Sequence, residues 1–204
     1  MSIRVVALIL ALLCTASEAQ VVSDVTEDGL VRVPSSRKAG VYRLPDAKFA
    51  QYRRIILAPA TVSISKDPDA KRFTRMGVEL KNSDVQGIMN DLQRAFHKEL
   101  VAELVERGGF ALARETALDV LFIAPMISEV DLDTPGSMTL IVELLDSTSG
   151  VTVGRIIDFE KGHEPPWMSN IAEARISFAN AARYTRSAIN IAKTERDETI
   201  SAPQ

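Results

Sequence analysis

The sequence predicts an α/β (α+β) fold, a two-layer sandwich in which a mixed β-sheet carries helices, including a C-terminal helix, on one face. Three observations support this prediction. Arg54 to Ser65 is β-branched and mostly apolar, which is typical of a strand. A helix-periodic segment follows from Ser83, so that strand, helix and strand form one unit. Three further strand-like segments then form a β-meander before an Ala-rich helix.

The N-terminal elements of this sandwich are short. Gly40 to Leu44 is predicted to be extended, and Asp46 to Tyr52 to be one helical turn capped by Asp46. The strand from Arg54 to Ser65 contains Pro59. Because proline donates no ladder hydrogen bond, Pro59 predicts a bulge or an edge position.

A long amphipathic helix is predicted to begin at Ser83, where Ser83 and Gln86 have the spacing of a capping box. Gly108-Gly109 ends it, because glycine accepts the left-handed conformation that follows many helices. The apolar residues recur at steps of three and four and predict one buried face: Val85, Met89, Leu92, Phe96, Leu100 and Leu104.

The predicted meander follows a short strand at Phe110 to Ala113. Its strands are Leu118 to Val130, Met138 to Leu145 and Val151 to Phe159. Asp146 to Gly150 separates the last two and predicts a tight hairpin, because the aspartate can accept from backbone amides ahead of it and the glycine can be left-handed.

The last helix is predicted from Asn170, which forms a second capping box with Glu173, to about Lys193. The domain organisation follows: residues 1–19 are a signal peptide, 20–39 a flexible leader, 40–193 a single α/β domain and 194–204 a disordered tail.

Residues 1–19 have the three parts of a secretory signal. Arg4 supplies the positive charge, and Val5 to Leu13 is an apolar run too short to span a bilayer as a helix. Ser17 and Ala19 are the small residues that a signal peptidase requires. We therefore expect an exported protein, with cleavage after Ala19.

Cys14 leaves a second route open. Bacterial lipoproteins are cut just before a cysteine that is then acylated, which would anchor the chain in the outer membrane. The residues before Cys14 are Leu12 and Leu13, both bulky where this processing requires small residues. A soluble exported protein is the favoured interpretation, with lipidation at Cys14 the alternative.

Composition excludes several classes of function. The chain has 204 residues, 24 Lys+Arg against 27 Asp+Glu and a formal net charge of −3, which argues against a nucleic-acid partner. One cysteine can form neither an internal disulfide nor a cysteine zinc cluster. No phosphate loop, dinucleotide fingerprint or nucleophile elbow is present, so no cofactor and no catalytic residue is predicted.

Two segments could carry chemistry. Glu129, Asp131 and Asp133 alternate at a strand end and would share one face, where three carboxylates could hold Ca²⁺. Their spacing does not match an EF-hand loop, and a solvated strand end explains them without a metal, so no metal site is predicted. His163 lies beside Glu164 in a proline-rich loop, where it is a candidate base or a solvated side chain.

Trp167, the only tryptophan, closes the same loop. If it is exposed, it is an interaction anchor, because tryptophan dominates binding hot spots. If it is buried, it fastens the loop to the domain, and burial is the favoured interpretation. If the loop is exposed, His163 and Trp167 are the candidate interaction residues.

Three segments together resemble a family of bacterial envelope lipoproteins known as domain-of-unknown-function family 3313. They are Tyr52 to Val62, the hairpin Val142 to Asp158 and the final Ala-rich helix, within residues 40–193. The resemblance implies export by Gram-negative bacteria, and therefore a periplasmic location, usually with lipid anchoring. It implies no established activity or catalytic residue. The chain departs from this pattern at Cys14, which lacks the small preceding residue.

The leading hypothesis is a non-enzymatic binding or accessory module of the cell envelope, whose partner or ligand and oligomeric state the sequence leaves open. The alternatives are a lipid-anchored outer-membrane component and an enzyme with an unrecognised site near Glu129 to Asp133 or His163. Membrane association is expected only if Cys14 is acylated.

Overall fold

A computed structural model describes residues 24–34, 40–65, 74–75, 78–132, 137–160 and 170–200. Its two long helices are α1 (Asn82–Val101), which continues into a π-helical turn at Ala102–Glu106, and α2 (Asn170–Ile200). The strands are β1 (Val31–Arg32), β2 (Gly40–Arg43), β3 (Arg54–Leu57), β4 (Thr61–Ile64), β5 (Thr74–Arg75), β6 (Val78–Glu79), β7 (Ala111–Leu112), β8 (Val120–Val130), β9 (Met138–Asp146) and β10 (Thr152–Glu160).

Within these residues the main sheet is mixed and has eight strands. Its order is β1-β2-β10-β9-β8-β3-β7, and β4 also pairs with β8. β3 and β4 run parallel to β8, and β7 runs parallel to β3. β8, β9 and β10 pair antiparallel in chain order, which confirms the predicted meander and strand–helix–strand unit.

The first strong strand is interrupted where Pro59 predicted a bulge or an edge. β3 pairs with the first part of β8 and β4 with the last part. Between them the Ala58 amide donates to the Ile123 carbonyl at 3.0 Å, and the Gln93 side chain on α1 donates to the Ala60 carbonyl at 2.9 Å. The helix thus satisfies a backbone group that the broken ladder leaves open.

Both predicted caps in the N-terminal half of the chain are wrong. α1 begins at Asn82, so Ser83 and Gln86 already lie inside the helix. Instead, the Asp84 carboxylate accepts from the Lys81 amide at 3.2 Å, and an acid there also favours the positive helix terminus. The turn near Asp46 is a 3₁₀ turn at Phe49–Gln51 without a side-chain cap.

The glycine residues end α1 as predicted. Gly109 has a φ of +72°, a left-handed conformation that costs glycine little. The Phe110 amide donates to the Leu104 carbonyl at 3.1 Å across this end, and Phe110 is buried. The chain is thereby returned to the sheet at β7.

The hairpin between β9 and β10 also forms as predicted. One carboxylate oxygen of Asp146 accepts from the Thr148 and Ser149 amides at 3.1 and 2.9 Å. Gly150 has a φ of +71°. Aspartate and glycine at these positions therefore set the turn, as their chemistry indicates.

The segment expected to be a flexible leader, residues 20–39, differs from that expectation where it is described. Residues 24–34 contain β1, which pairs antiparallel with β2, and Val25 bridges Val31. Leu30 is fully buried. The segment is held by one buried leucine and a few backbone hydrogen bonds. Because it contains so few apolar residues, its sequence shows no helical or strand periodicity from which this structure could be predicted.

The C-terminal helix begins at Asn170, as predicted, but continues to Ile200, beyond the end expected near Lys193. Lys193 lies over the Phe110 ring at 4.0 Å from its centroid. Burial, followed by the nearby Arg53, lowers the pKa of Lys193. The last part of the domain is therefore still in contact with the body of the protein at Lys193.

The core lies between one face of the sheet and the two helices. Phe96 of α1 and Phe178 of α2 are fully buried, and their rings stack with centroids 4.9 Å apart. A buried side chain of this kind contributes about 1.5–3 kcal/mol to folding. The sheet contributes alternate residues of three strands to this core: Leu121, Ile123, Ile127, Leu140, Val142, Leu144, Val153 and Ile156.

Candidate functional site

The face of the sheet that points away from the helices is also largely apolar. Residues paired directly across a ladder point to the same face. β3, β8, β9 and β10 therefore place a second set of side chains on this side, opposite the core. We call it the outer face: Ile56, Phe122, Ala124, Met126, Ile141, Glu143, Leu145, Arg155, Ile157 and Phe159.

Two apolar rows cross the outer face, one on each side of a charged row. Met126 pairs with Ile141, which pairs with Ile157. On the other side of the charged row, Phe122 pairs with Leu145, and with Ile56 on β3. The charged row between them is Ala124, Glu143 and Arg155.

These side chains are distinct from the core in the described part of the chain. None of the apolar residues of the outer face belongs to the helix-covered cluster or packs against it. Met126 and Phe159 are 41% and 49% exposed, while Phe122, Ile141 and Ile157 are half-buried by their neighbours on the strands. An apolar surface that helices leave uncovered, here in two rows beside a charged row, is typical of an interaction site.

The charged groups of this row are paired with one another within the face. Arg155 Nε donates to Glu143 at 2.9 Å, and one terminal nitrogen of the same guanidinium lies 2.7 Å from the Asp28 carboxylate. Burial alone would lower the pKa of Arg155, but the hydrogen bonds to Asp28 and Glu143 raise it. Arg155 therefore stays cationic between two carboxylates.

Asp28 brings the leader segment onto this face. Thr26 Oγ1 donates to Asp28 at 2.6 Å, and this bond, with that from Arg155, lowers the pKa of Asp28 despite partial burial. The Leu30 amide donates to Thr26 Oγ1 at 3.0 Å. Tyr42, which pairs across from Arg155, is only 4% exposed. Among the described residues, the outer face is thus covered on the β2 side and uncovered over β8, β9 and β10.

One end of the sheet is fixed by a buried tyrosine. The Tyr52 hydroxyl donates to the Asp146 carboxylate at 2.9 Å. Burial and then this bond raise the pKa of Tyr52 to about 12. Burial would raise the pKa of Asp146, but hydrogen bonds from Thr148, Ser149 and Tyr52 hold it well below its ordinary value. The bond between them connects the β9–β10 hairpin to the residues just before β3.

A buried carboxylate joins the two helices. Glu103, in the π-helical turn, has a side chain only 4% exposed. Arg107 donates to it at 2.6 Å, and Arg186 Nε on α2 lies 3.0 Å from its other oxygen, as an ion pair without hydrogen-bond alignment. π-helical turns often accompany functional sites, but here Arg107, directly after the turn, and Arg186 on α2 pair with the buried carboxylate and account for it.

The acidic end of β8 contains a backbone irregularity. Glu129 has a φ of +56°, and Thr139 Oγ1 donates to its carboxylate at 2.8 Å. The β4–β8 register shifts at the same place. The strand alternation assumed for the carboxylates at 129, 131 and 133 therefore does not continue through this bulge. Among the described residues no group of three His, Cys, Asp or Glu could hold a metal ion.

The other residues singled out from the sequence lie outside the described residues. They are Cys14, Asp133, His163, Glu164 and Trp167. The predictions for lipidation, for a loop base and for a tryptophan anchor remain predictions. No helix in the described part of the chain is long and apolar enough to cross a membrane.

The outer face was missed from the sequence, although a signal for it exists. Met138 to Leu145 is apolar at all but two positions, without the polar alternation of a strand with one solvated face. Strands buried on both faces have this pattern. Glu143 and Arg155, which lie opposite each other, could be matched only after the register of the hairpin was known.

Fold and surface together define a class: a two-layer α/β sandwich whose helices cover one sheet face and whose other face is apolar. The sequence profile of the family described as "Protein of unknown function (DUF3313)" matches residues 18–141, more than half of the chain. The chain belongs to this family. The matched region includes the outer-face residues of β8 and part of β9.

Comparison with solved structures finds distant neighbours. One is a variant of the PelC dodecamer from Paraburkholderia phytofirmans, with 13% identity and a TM-score of 0.39 over 71% of this chain and 95% of that chain. Another is a DUF330 protein from Xanthomonas campestris, with 13% identity and a TM-score of 0.41 over 72% of this chain and 89% of that one. Comparison with curated proteins finds no match.

Proposed function

We propose that this chain is an exported envelope protein that acts as a non-enzymatic binding module through the outer face. The observation that carries the proposal is the apolar surface around Met126, Ile141 and Ile157, opposite the helix-covered core. An isolated soluble domain gains nothing from such a surface, whereas a binding module uses it to exclude water at an interface.

Export is supported by the sequence of residues 1–19, with its positive, apolar and small-residue parts. The mass of the N-terminal peptide of the protein from the periplasm of a Gram-negative host tests it. A chain beginning at Gln20 is the expected result. An acylated N-terminal Cys14 would instead support the lipid-anchored form, and retention in the cytoplasm would contradict export.

Binding through the outer face is tested by site-specific photocrosslinking in the same cells. A photoreactive residue at Met126 is expected to give discrete crosslinked species that disappear when Ile141→Lys is added. The control is Ile176, an apolar residue on α2 that is more exposed than Met126, at 65% against 41%. Equal crosslinking from Met126 and Ile176, or none from Met126, would contradict the proposed function.

A further inference from the structure

We infer that the partner of the outer face is a second copy of this chain, packed face to face. The inference rests on the proposed function and specifies its partner. It follows from the shape and the size of the outer face and from the pairing of its charged groups within one copy.

The shape of the outer face fits another sheet. Its apolar side chains project from β8, β9 and β10, three neighbouring strands without an intervening helix or loop among the described residues. Two sheets bury such faces against each other at about 10 Å, with their side chains interdigitated. A second copy supplies a surface of the same curvature and the same spacing of rows.

The charged groups of the outer face are paired within one copy. In a two-fold dimer the same patch contacts itself, so an unpaired charge would meet a like charge. Arg155 is held between Glu143 at 2.8 Å and Asp28 at 2.7 Å. One guanidinium against two carboxylates leaves this row one net negative charge in each copy. The flanking rows, through Ile141 and Leu145, are apolar and supply the contact between copies.

The size of the outer face is sufficient for a specific contact. Strands lie about 4.8 Å apart and rise about 3.3 Å per residue, so four strands over about eight residues present roughly 500 Å² of flat area. Two such faces in contact would bury roughly 1,000 Å² in total, counted as flat area without the added surface of the projecting side chains. This total is the lower limit for a specific interface. We expect a reversible dimer with a dissociation constant in the micromolar range.

Sedimentation velocity of the exported full-length product, across a concentration series up to about 100 µM, tests the inference. The wild-type chain is expected to form a dimer, and Ile141→Lys to raise the dissociation constant at least tenfold. Ile176→Lys, the matched change on α2, is expected to leave it within twofold. Met126→Lys, at an already exposed position, provides a second outer-face variant, and thermal melts show that each variant is folded.

Two results would overturn the inference. One is a wild-type chain that stays monomeric up to about 100 µM, and the other is a dimer that neither Ile141→Lys nor Met126→Lys weakens. Flotation with phosphatidylethanolamine–phosphatidylglycerol vesicles is measured alongside, and a monomer that floats assigns the face to lipid instead. A monomer whose Met126 still crosslinks to another protein in cells would overturn the self-association while the proposed function stands.

Discussion

The two faces of the sheet are alike in composition and different in environment. On β8, Ile123 is fully buried beneath the helices, while Met126 on the opposite face is 41% exposed. On β9, Leu140 is buried in the core, and its neighbour Ile141 is only half-buried. Each strand therefore carries apolar side chains to both sides, although the helices cover only one.

This difference shows that apolar content and core membership are separate properties. The helix-covered face stabilises the folded chain, since Phe96 and Phe178 stack there in the interior. The outer face gives the monomer much less, because water still reaches its side chains. Its apolar character is best explained by an interaction with another surface.

The largest expected effect is a difference in the free energy of unfolding between Phe→Ala substitutions on the two faces of the sheet. Phe178→Ala removes a fully buried ring and is expected to lower the free energy of unfolding by about 3–5 kcal/mol. Phe159→Ala, on the outer face, is expected to cost less than about 1 kcal/mol in dilute solution. Urea unfolding measures both. Equal costs for the two variants would eliminate the distinction between the faces.

The second prediction concerns the charge buried on the helix side. Glu103→Gln leaves Arg186 without its carboxylate and is expected to cost about 1–3 kcal/mol, limited by the solvent that reaches both arginines. Glu106→Gln, at an exposed position in the same turn, is the control. Thermal unfolding at low and high salt measures the difference. Equal stabilities of the two variants would show that Glu103 contributes only packing.

The third prediction is a pH dependence at the end of the sheet. Tyr52→Phe removes the hydroxyl that donates to Asp146 and is expected to cost about 0.5–1.5 kcal/mol near neutral pH. The pKa of Tyr52 is raised to about 12 in the folded chain. Its contribution to stability is therefore fully present below about pH 10 and is lost as the pH rises toward 12.

The stability difference between wild type and Tyr52→Phe is accordingly expected to shrink over that alkaline range. Urea unfolding at a series of pH values measures it, with Tyr184→Phe on α2 as the control. The lowered pKa of Asp146 has the opposite sign: its contribution is present above its ordinary value of 3.8 and is lost on acidification. A constant difference from pH 8 to 12 would contradict the role of Tyr52.

The smallest effect is expected where the leader meets the outer face. Asp28→Asn weakens a partly exposed ion pair with Arg155 and is expected to cost about 0.2–1 kcal/mol. Hydrogen exchange should accelerate at the Leu30 and Arg32 amides, which lie within this segment. Glu27→Gln, at the adjacent acidic position, should leave both rates unchanged. Unchanged exchange in Asp28→Asn would show that the leader is held without Arg155.

Much of the fold follows from local chemistry. The apolar spacing of α1, the hairpin at Asp146 and Gly150 and the break at Pro59 were predicted because each depends on neighbours in sequence. The start of α1 was misplaced because Asp84, three residues after Lys81, competes with Ser83 for the cap. The free amides at the start of a helix can bond to either of two nearby polar side chains. The backbone geometry decides between them, and that geometry cannot be read from the sequence.

The candidate site was the least predictable part. Asp28 and Arg155 are 127 positions apart in the chain but 2.7 Å apart in space. Their pairing depends on the order β1-β2-β10-β9 within the sheet. From the sequence we selected His163, Trp167 and the carboxylates from 129 to 133, because the chemistry of each of these side chains suggests a function on its own. Ordinary isoleucines and leucines form a surface only when several strands lie side by side.

The sequence by itself determined the class of fold, the helix faces, the hairpin turn and the expectation of export, because these depend on local periodicity and local chemistry. Only the tertiary structure decided which apolar side chains the helices cover. Side chains alternate between the two faces of a strand, and Ile141 differs from Leu140 only in the direction in which the pleat points it. The direction matters because α1 and α2 pack on one side of the sheet only, and no described helix covers the other side.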